Sequence, residues 1–317
     1  MTARMLITGA SGFVGNVLTP KLQSAGYHVT ALGYQTPVPT ADSSLLCDLC
    51  QAEAVAAAVS QAQPTHVIHL AAVSHVPTSF AEPLKTWQTN VMASLNLLEA
   101  LRQHAPQAFI LFASSSEVYG ASFKQGEALD EQAPCQPMNP YSASKLAAEC
   151  AFSEYFRQGM RGVIARPFNH IGAGQSASFV TSSFARQIAL IEAGKQPPVM
   201  DVGNLQASRD FLDVRDVCDA YIRLLDLAQA ATYPRLFNIA SGVPRQIDSM
   251  LSSLLALSDH DIQVRLDPQR LRPSDIPQAI GNGRLLHETT AWKPAIAIEQ
   301  TLRELLDYWR QQVRSHE

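Results

Sequence analysis

The sequence predicts an α/β protein whose core is a doubly wound parallel sheet, with a smaller C-terminal lobe after it. Short apolar runs alternate with longer helical patterns such as 87–101. The runs lie at residues 5–7, 28–32, 67–70, 109–112 and 163–165. Within them polar and apolar residues do not alternate, which is typical of parallel strands buried on both faces. After Arg166 prolines and glycines interrupt the pattern, and a last helical pattern runs from about 298 to 313.

The composition excludes several classes of protein. With 46% hydrophobic and 16% charged residues in 317 positions, the chain can bury a large core. A formal net charge of −4 gives no reason to expect nucleic acid as a partner. The first apolar stretch stops at Thr8 and Gly9, so it is too short for a signal peptide or for a membrane span. We therefore expect a cytoplasmic protein with no membrane partner.

The five cysteines are odd in number and scattered, which is typical of reduced thiols rather than of a disulfide framework. Cys47 and Cys50 form a CxxC pair, but neither a second pair nor a histidine couple completes a zinc site. We expect no metal.

The segment LITGASGFVG places Gly9, Gly12 and Gly15 after the first predicted strand and at the start of an amphipathic helix. Glycines there tolerate unusual backbone angles and let the chain approach a pyrophosphate, while the helix N-terminus offers free amides. A plain glycine turn is the alternative. The position between strand and helix favours a dinucleotide site of the Rossmann type.

On this basis we expect two domains. Residues 1–166 and 205–240 would form the dinucleotide-binding Rossmann domain, and residues 167–204 and 241–317 the substrate-binding lobe. Loops on a rigid scaffold are where a substrate site is usually built.

The segment NPYSASK separates Tyr141 from Lys145 by four residues, which is one helical turn and places both side chains on one face. An ammonium beside a phenol lowers the pKa of the phenol, which makes tyrosine usable as a general acid or base. A solvated helix face is the alternative interpretation. Downstream of a dinucleotide loop, the spacing favours the chemical one.

With these motifs the chain resembles the extended short-chain dehydrogenase/reductase family over essentially its whole length. The matching positions are Gly9, Gly12, Gly15, Asp48 in CDL, His69 to Ala72, Asn90, Ser115, Tyr141 and Lys145. The resemblance implies a nicotinamide cofactor, NADPH or NADH. It implies that Tyr141 passes a proton to or from a sugar oxygen, that Lys145 binds the nicotinamide ribose and lowers the pKa of the tyrosine, and that Ser115 hydrogen bonds the same oxygen.

The cofactor contacts implied by the resemblance follow the same motifs. They are Gly9, Ser11, Gly12, Phe13, Val14, Gly15, Asp48, Leu49, Leu70, Ala71, Ala72, Asn90, Tyr141 and Lys145. Asp48 would meet the adenine, although a helix N-cap is the alternative for this residue. The chain departs from the family at Gly33, where the second predicted strand ends without the acidic residue that selects NAD. We expect NADPH, with NADH tolerated.

Three later segments resemble those of GDP-6-deoxy-D-mannose reductases, namely 165–175, 202–217 and 271–282. The resemblance implies that Asn169, Arg209 and Arg272 contact the diphosphate of a GDP-linked 4-keto-6-deoxy sugar. A guanidinium binds phosphate well. Surface ion pairs of the two arginines with Asp210 and Asp275 are the alternative. The expected reaction is reduction of the 4-keto group of GDP-4-keto-6-deoxy-D-mannose to GDP-D-rhamnose.

Glu117, in the stretch ASSSEVYG, leaves a rival open. The GDP-mannose 4,6-dehydratases of the same superfamily need a base two residues after the catalytic Ser or Thr, and Glu117 occupies that place. A 4-epimerase and a non-enzymatic dinucleotide sensor are further alternatives. His75 and His170 are interpreted as structural or substrate-lining. By the family likeness, helices near 87–103 and 141–157 would pair two chains in a homodimer.

Overall fold

The computed structural model describes residues 3–270 and 276–315. The strands are β1 (Arg4–Thr8), β2 (His28–Gly33), β3 (Ser43–Leu46), β4 (His66–His69), β5 (Phe109–Ala113), β6 (Arg161–Pro167), β7 (Asn169–Ile171), β8 (Val199–Val202), β9 (Ser208–Asp213), β10 (Leu236–Ile239), β11 (Pro244–Gln246), β12 (Gln263–Leu266) and β13 (Gln278–Ala279). The helices are α1 (Phe13–Ser24), α2 (Ala52–Ala62), α3 (Val76–Ala81), α4 (Pro83–Trp87), α5 (Ala93–His104), α6 (Pro140–Arg157), α7 (Val180–Glu192), α8 (Val214–Leu225), α9 (Ile247–Leu255), α10 (Arg284–Thr290) and α11 (Ile298–Ser315).

Seven of the described strands form one parallel sheet in the order β10-β6-β5-β4-β1-β2-β3. Successive side chains of a strand point to opposite faces, so both faces of this sheet must be covered. In β1, Met5 and Ile7 pack into one core with α1 and α8, while Leu6 packs into a second core with α2, α5 and α6. The predicted doubly wound sheet is confirmed. Its strands appear in the sequence as continuous apolar runs because both faces of the sheet are buried.

A second, smaller group of strands follows. β7, β11 and β13 pair with β9, and β8 pairs with β12. A third apolar core joins β7, β8 and β9 to α7, α9 and α11. The division of the chain into domains at the predicted residues stays a prediction. β9 lies within the first predicted domain, but it pairs with the strands of the small sheet.

The helical pattern predicted at 87–101 is interrupted in the structure. α4 ends at Trp87, a π-helical turn spans Gln88–Met92, and α5 begins at Ala93. Such turns are rare and often accompany functional sites. Asn90 lies in the middle of this turn and is buried.

Across residues 3–270 and 276–315, the helices are too short or too polar for any of them to cross a lipid bilayer.

Candidate active site

The carboxyl ends of the parallel strands lie at one edge of the large sheet, which is where ligands bind in such folds. The turn after β1 carries Gly9, and the loop after β4 carries residues 70–72. Ser115 and Glu117 follow β5, and β6 leads to Asn169 at the start of β7. The sheet topology therefore brings residues that are far apart in sequence to a common edge.

The glycine turn between β1 and α1 is tightly packed. Gly9 has a φ of +72°, and a Cβ there would lie 2.8 Å from the Ala71 nitrogen. A Cβ on Gly15 would lie 2.4 Å from the Gly9 carbonyl oxygen. Gly12 is the N-cap of α1 and offers no side chain to cap the helix amides. The backbone amides at the start of α1 therefore have no side-chain cap, and they lie beside the loop after β4. This arrangement fits the pyrophosphate of a dinucleotide.

The other predicted contacts of the turn surround the same helix start. Ser11 is exposed, and Phe13 and Val14 are half-buried in the first turn of α1. The Thr8 hydroxyl accepts a hydrogen bond from the Ala71 amide at 3.1 Å, which joins the end of β1 to the loop after β4. Leu70, Ala71 and Ala72 are half-buried in this loop.

Asp48 lies in the loop between β3 and α2. Its Oδ1 accepts a hydrogen bond from the Cys50 amide at 2.9 Å. The N-cap of α2 is Gln51, so the alternative role of Asp48 as that cap is wrong. The carbonyl oxygen of Leu49 accepts a hydrogen bond from Asn96 Nδ2 at 2.9 Å. Their contacts with the adenine stay a prediction.

Asn90 joins the loop after β4 to α6. Its Oδ1 accepts a hydrogen bond from the Val73 amide at 2.8 Å, and its Nδ2 donates to the Val73 carbonyl and to Ser144 Oγ. The Ser144 hydroxyl in turn donates to the Tyr141 carbonyl at 2.7 Å. Asn90 thus positions two parts of the site, whereas its predicted contact with the cofactor stays a prediction.

The start of α6 is fixed by Asn139, the N-cap, which forms a capping box with Ser142, and by Pro140 at the first helical position. Both are strong helix-start signals. Tyr141 follows directly, and Ser115 lies close enough to its phenol to lower the pKa of Tyr141. The structure therefore brings Ser115 and Tyr141 together as predicted from their motifs.

Burial changes the acid–base properties of both motif residues of α6. The pKa of Tyr141 is raised to about 12, mainly by burial; the interaction with Ser115 opposes this shift, and the charge of Glu117 adds to it. Burial lowers the pKa of Lys145 to about 7, and the Glu149 carboxylate opposes that shift. The expected lowering of the tyrosine pKa by Lys145 is thus reversed. Lys145 Nζ donates instead to the Ala113 carbonyl at 2.6 Å and lies 4.8 Å from the centre of the Phe112 ring.

Glu117 lies between the tyrosine and the small sheet. Its Oε2 accepts a hydrogen bond from Asn139 Nδ2 at 3.2 Å, and its amide donates to Ser115 Oγ at 3.2 Å. Burial lowers the pKa of Arg209, and the charge of Glu117 opposes this shift. Arg209 NH1 donates to the Ser208 carbonyl at 2.7 Å. Glu117 therefore faces both the proposed proton donor and a predicted phosphate ligand.

The remaining predicted substrate contacts are less clustered. Asn169 is exposed at the start of β7. The Asp210 carboxylate, the alternative partner of Arg209, accepts hydrogen bonds from the Ser241 hydroxyl at 2.5 Å and from the Gly242 amide at 2.9 Å. Arg272 and Asp275 lie outside the described residues.

The two histidines near the motifs make local contacts. His170 Nδ1 lies 3.0 Å from the Phe168 carbonyl oxygen, and its ring stacks on Phe13 at 6.1 Å. Burial lowers the pKa of His170. His75 Nδ1 lies 3.0 Å from Thr78 Oγ1. These contacts favour the structural interpretation, and substrate lining stays a prediction. Within residues 3–270 and 276–315, no group of three or more His, Cys, Asp or Glu side chains is arranged to hold a metal ion.

Comparison with known proteins agrees with this geometry. The model of the GDP-mannose 4,6 dehydratase family matches residues 6–305. The chain belongs to this family. It is 38% identical to GDP-6-deoxy-D-mannose reductase from Pseudomonas aeruginosa over 315 residues, 99% of each chain. It is 28% identical to GDP-mannose 4,6-dehydratase from Yersinia enterocolitica over 99% of this chain and 95% of that one.

Among solved structures, RMD from Pseudomonas aeruginosa in complex with NADPH matches with a TM-score of 0.87 at 37% identity. The match covers 98% of this chain and 100% of that chain. The likeness to GDP-6-deoxy-D-mannose reductases expected from the sequence motifs is thus confirmed over the full length.

For a member of this family, Gly33 bears on the choice between NADPH and NADH. A Cβ at Gly33 would lie 2.3 Å from the Thr36 carbonyl oxygen, so no acidic side chain can occupy this position without moving the loop. The residue after it, Tyr34, is exposed. The absence of an acid at the end of β2 therefore has a steric cause, and position 34 is the better place to introduce one.

We expect Tyr34→Asp to shift the preference toward NADH. A carboxylate beside the 2′-phosphate repels it, and juxtaposed like charges weaken binding, here by about tenfold or more in the ratio of the two dissociation constants. Fluorescence titration of both cofactors against both proteins measures this ratio. Tyr34→Asn, which has the same shape without the charge, is the control. Equal ratios for the two variants would show that the phosphate does not lie near this residue.

Sequence reasoning missed a buried group beneath the motif residues, which consists of Ser114, Glu149 and Arg166. Glu149 stands eight residues after Tyr141 and four after Lys145. This spacing places all three on one helix face. The spacing is visible in the sequence, but the partners of Glu149 lie on other elements and are visible only in the structure.

Proposed function

We propose that this protein reduces the 4-keto group of GDP-4-keto-6-deoxy-D-mannose with NADPH, and with NADH less well, to give GDP-D-rhamnose. The observation that carries the proposal is the pair of Ser115 and a buried Tyr141 beside a glycine turn that fits a dinucleotide. The likeness of the whole chain to a GDP-6-deoxy-D-mannose reductase supports the choice of substrate.

A nicotinamide cofactor held along the glycine turn of Gly9, Gly12 and Gly15 would supply hydride to the carbonyl carbon. Tyr141 donates the proton to the carbonyl oxygen, and the Ser115 hydroxyl hydrogen bonds the same oxygen. A general acid must hold its proton until the reaction takes it. Since the pKa of Tyr141 is raised to about 12, the phenol is protonated at neutral pH and suits a reduction. Lys145 would bind the nicotinamide ribose.

Arginines on the small-sheet side support recognition of a nucleotide diphosphate. Arg209 lies at the Glu117 side of the site. A cavity of about 470 Å³ lies between α7 and the β8–β12 pair, with Arg186, Arg265 and Arg270 among its lining residues. Guanidinium groups bind phosphate in bidentate fashion. Contacts of Asn169, Arg209 and Arg272 with the diphosphate are part of this proposal.

We expect Arg209→Ala to weaken nucleotide-sugar binding by about 1.5 to 3 kcal/mol, the range for hydrogen bonds to charged groups. The affinity for NADPH should stay within twofold. Isothermal titration with GDP and with NADPH measures both. Arg157→Ala is the control, because Arg157 lies at the C-terminal end of α6, about four turns beyond Tyr141, and pairs with Glu154 at the surface. An equal loss for both ligands would mean that Arg209 supports the fold rather than the diphosphate.

The rival function is the 4,6-dehydratase of the same family. A dehydratase removes the proton from carbon 5 and loses water from carbon 6, which requires a base within hydrogen-bond reach of the sugar. Glu117 has the required residue type, but its Oε2 accepts a hydrogen bond from Asn139 and its charge faces Arg209. These contacts favour a role in orienting the substrate.

The deciding experiment is incubation of the pure protein with GDP-mannose alone, and separately with the 4-keto-6-deoxy derivative plus NADPH. We expect GDP-D-rhamnose from the second incubation and no 4-keto product from the first. Glu117→Gln should lower the reductase rate by less than tenfold, because a reductase needs no base at that position. Release of 4-keto product from GDP-mannose by the wild type, and its loss in Glu117→Gln, would identify a dehydratase.

A homodimer and a cytoplasmic location, with the product used for surface polysaccharide such as lipopolysaccharide, are further parts of the proposal. Large apolar side chains are exposed along α3, α4 and the π-helical turn, next to the helix predicted to pair two chains. They are Phe80, Leu84, Trp87 and Met92. Contiguous exposed apolar surface is typical of an interface. The free thiols of Cys47 and Cys50 agree with a reducing compartment.

A further inference from the structure

A buried ionic group lies directly beneath the proposed catalytic residues. Glu149 Oε1 accepts a hydrogen bond from the Ser114 hydroxyl at 2.5 Å. Arg166 donates to both carboxylate oxygens of Glu149, at 2.9 Å and 2.6 Å. All three residues are at most 5% exposed. The group thus ties the loop after β5, the middle of α6 and the end of β6 to one carboxylate.

This carboxylate is close to two residues of the proposed mechanism. Lys145 lies one helical turn before Glu149 on the same face of α6 and is 3% exposed. Ser114, which binds Glu149, directly precedes Ser115. A buried ammonium is strongly disfavoured without a nearby anion. The carboxylate of Glu149 is the charge that opposes the loss of the Lys145 proton.

Several other ionisable groups face this pair from neighbouring elements. They are His69 on β4, Arg166 on β6, Cys135 in the loop before α6, and Tyr119 and Glu131 beside Arg166. Burial and the Lys145 charge lower the pKa of His69 to about 3, so its ring is neutral. Burial raises the pKa of Cys135, so its thiol is neutral as well. The Glu149 carboxylate is therefore the charge that acts on Lys145.

We propose that Glu149 is a positioning residue of this site, whose carboxylate keeps the Lys145 ammonium charged and, through Ser114, fixes the peptide that carries Ser115. Glu149 does not touch the reacting atoms. By keeping Lys145 charged, Glu149 supports cofactor binding. By fixing the peptide of Ser115 it supports turnover, and this second effect rests on the proposed function. The two effects are separable, because the Ser114 hydrogen bond and the carboxylate charge can be removed independently.

The test of the charge is the pH dependence of NADPH binding, measured by cofactor fluorescence on the unmodified protein and on Glu149→Gln. The amide keeps the shape of the side chain but removes its charge. The Arg166 guanidinium then lacks its partner carboxylate. Lys145 then loses its proton at lower pH, since the pKa of this lysine falls. We expect the pH at which NADPH affinity is half lost to move down by about one unit or more.

Three variants complete the test. Glu149→Asp retains the charge, so the pH at which its NADPH affinity is half lost (the midpoint) should equal that of the wild type. Ser114→Ala should leave that pH in place but lower kcat for the keto sugar about tenfold with little change in KM, the lower end of the range for a hydrogen bond to a charged group. Asp213→Asn breaks another buried ion pair, with Arg215 at 2.7 Å, and should not move the midpoint.

An unchanged midpoint in folded Glu149→Gln overturns the proposal. If that variant does not fold, Glu149→Gln combined with Arg166→Met removes the buried guanidinium together with its partner carboxylate. The pH at which this double variant loses half its NADPH affinity decides by the same criterion, with a smaller downward shift. A wild type that binds NADPH but does not reduce the keto sugar would overturn the proposed function alone, because the binding measurements do not depend on turnover.

Discussion

Replacing Tyr141 by phenylalanine should lower turnover by about 10² to 10⁴, the usual contribution of a general acid. The buried phenol beside Ser115 is the proposed proton source, and phenylalanine removes only its oxygen. Binding of NADPH should change little, because the ring and the helix start remain. Steady-state rates with the 4-keto sugar and fluorescence titration of NADPH measure the two quantities.

Tyr155→Phe is the matched control for this experiment. Tyr155 lies on the same helix, but its hydroxyl donates to Glu99 on α5, away from Ser115. The control should keep its rate within a few-fold of the wild type. If Tyr141→Phe retains more than a tenth of the wild-type rate, another group supplies the proton.

Gly15→Ala should weaken NADPH binding by about 5- to 150-fold, which corresponds to the 1 to 3 kcal/mol of overpacking at a tightly packed position. The added methyl group would lie 2.4 Å from the Gly9 carbonyl oxygen and 2.5 Å from Ala10 Cα. Both are backbone atoms of the turn and cannot rotate away. The turn itself must move, and with it the amides that face the pyrophosphate. Fluorescence titration of NADPH measures the loss.

Gly26→Ala serves as the control at the other end of α1. Gly26 has a φ of +88°, but nothing lies within 4 Å of its Cβ position. Alanine there adds backbone strain, which thermal unfolding detects, and should leave the NADPH affinity unchanged. If both variants lose affinity in proportion to stability, the effect of Gly15→Ala is on folding and not on the cofactor turn.

The features that the sequence predicts best are those encoded by local patterns. Buried strands such as β1 and β5 appear as apolar runs, and the start of α6 is encoded by Asn139 and Pro140. The π-helical turn at Asn90 was missed because the apolar pattern continues through it. The Asn90 side chain within this turn bonds Val73 and Ser144, both distant in sequence.

Electrostatic properties were harder to predict than positions. The four-residue spacing of Tyr141 and Lys145 is correct, yet the pKa of the tyrosine is raised and not lowered. The spacing of two residues on a helix shows on which face their side chains lie but not how deeply they are buried. Burial has the larger influence on the pKa of both groups. The partners of Glu149 also depend on how β5 and β6 meet α6, which no local pattern encodes.

Asn90 has a further consequence for how the site can move. It bonds the loop beside the cofactor turn and, through Ser144, the backbone of Tyr141. Hydrogen bonds therefore hold the loop after β4 and the start of α6 together. Arg209 belongs to the small sheet instead. We expect any movement of the small sheet around a nucleotide sugar to leave the spacing between this loop and Tyr141 unchanged.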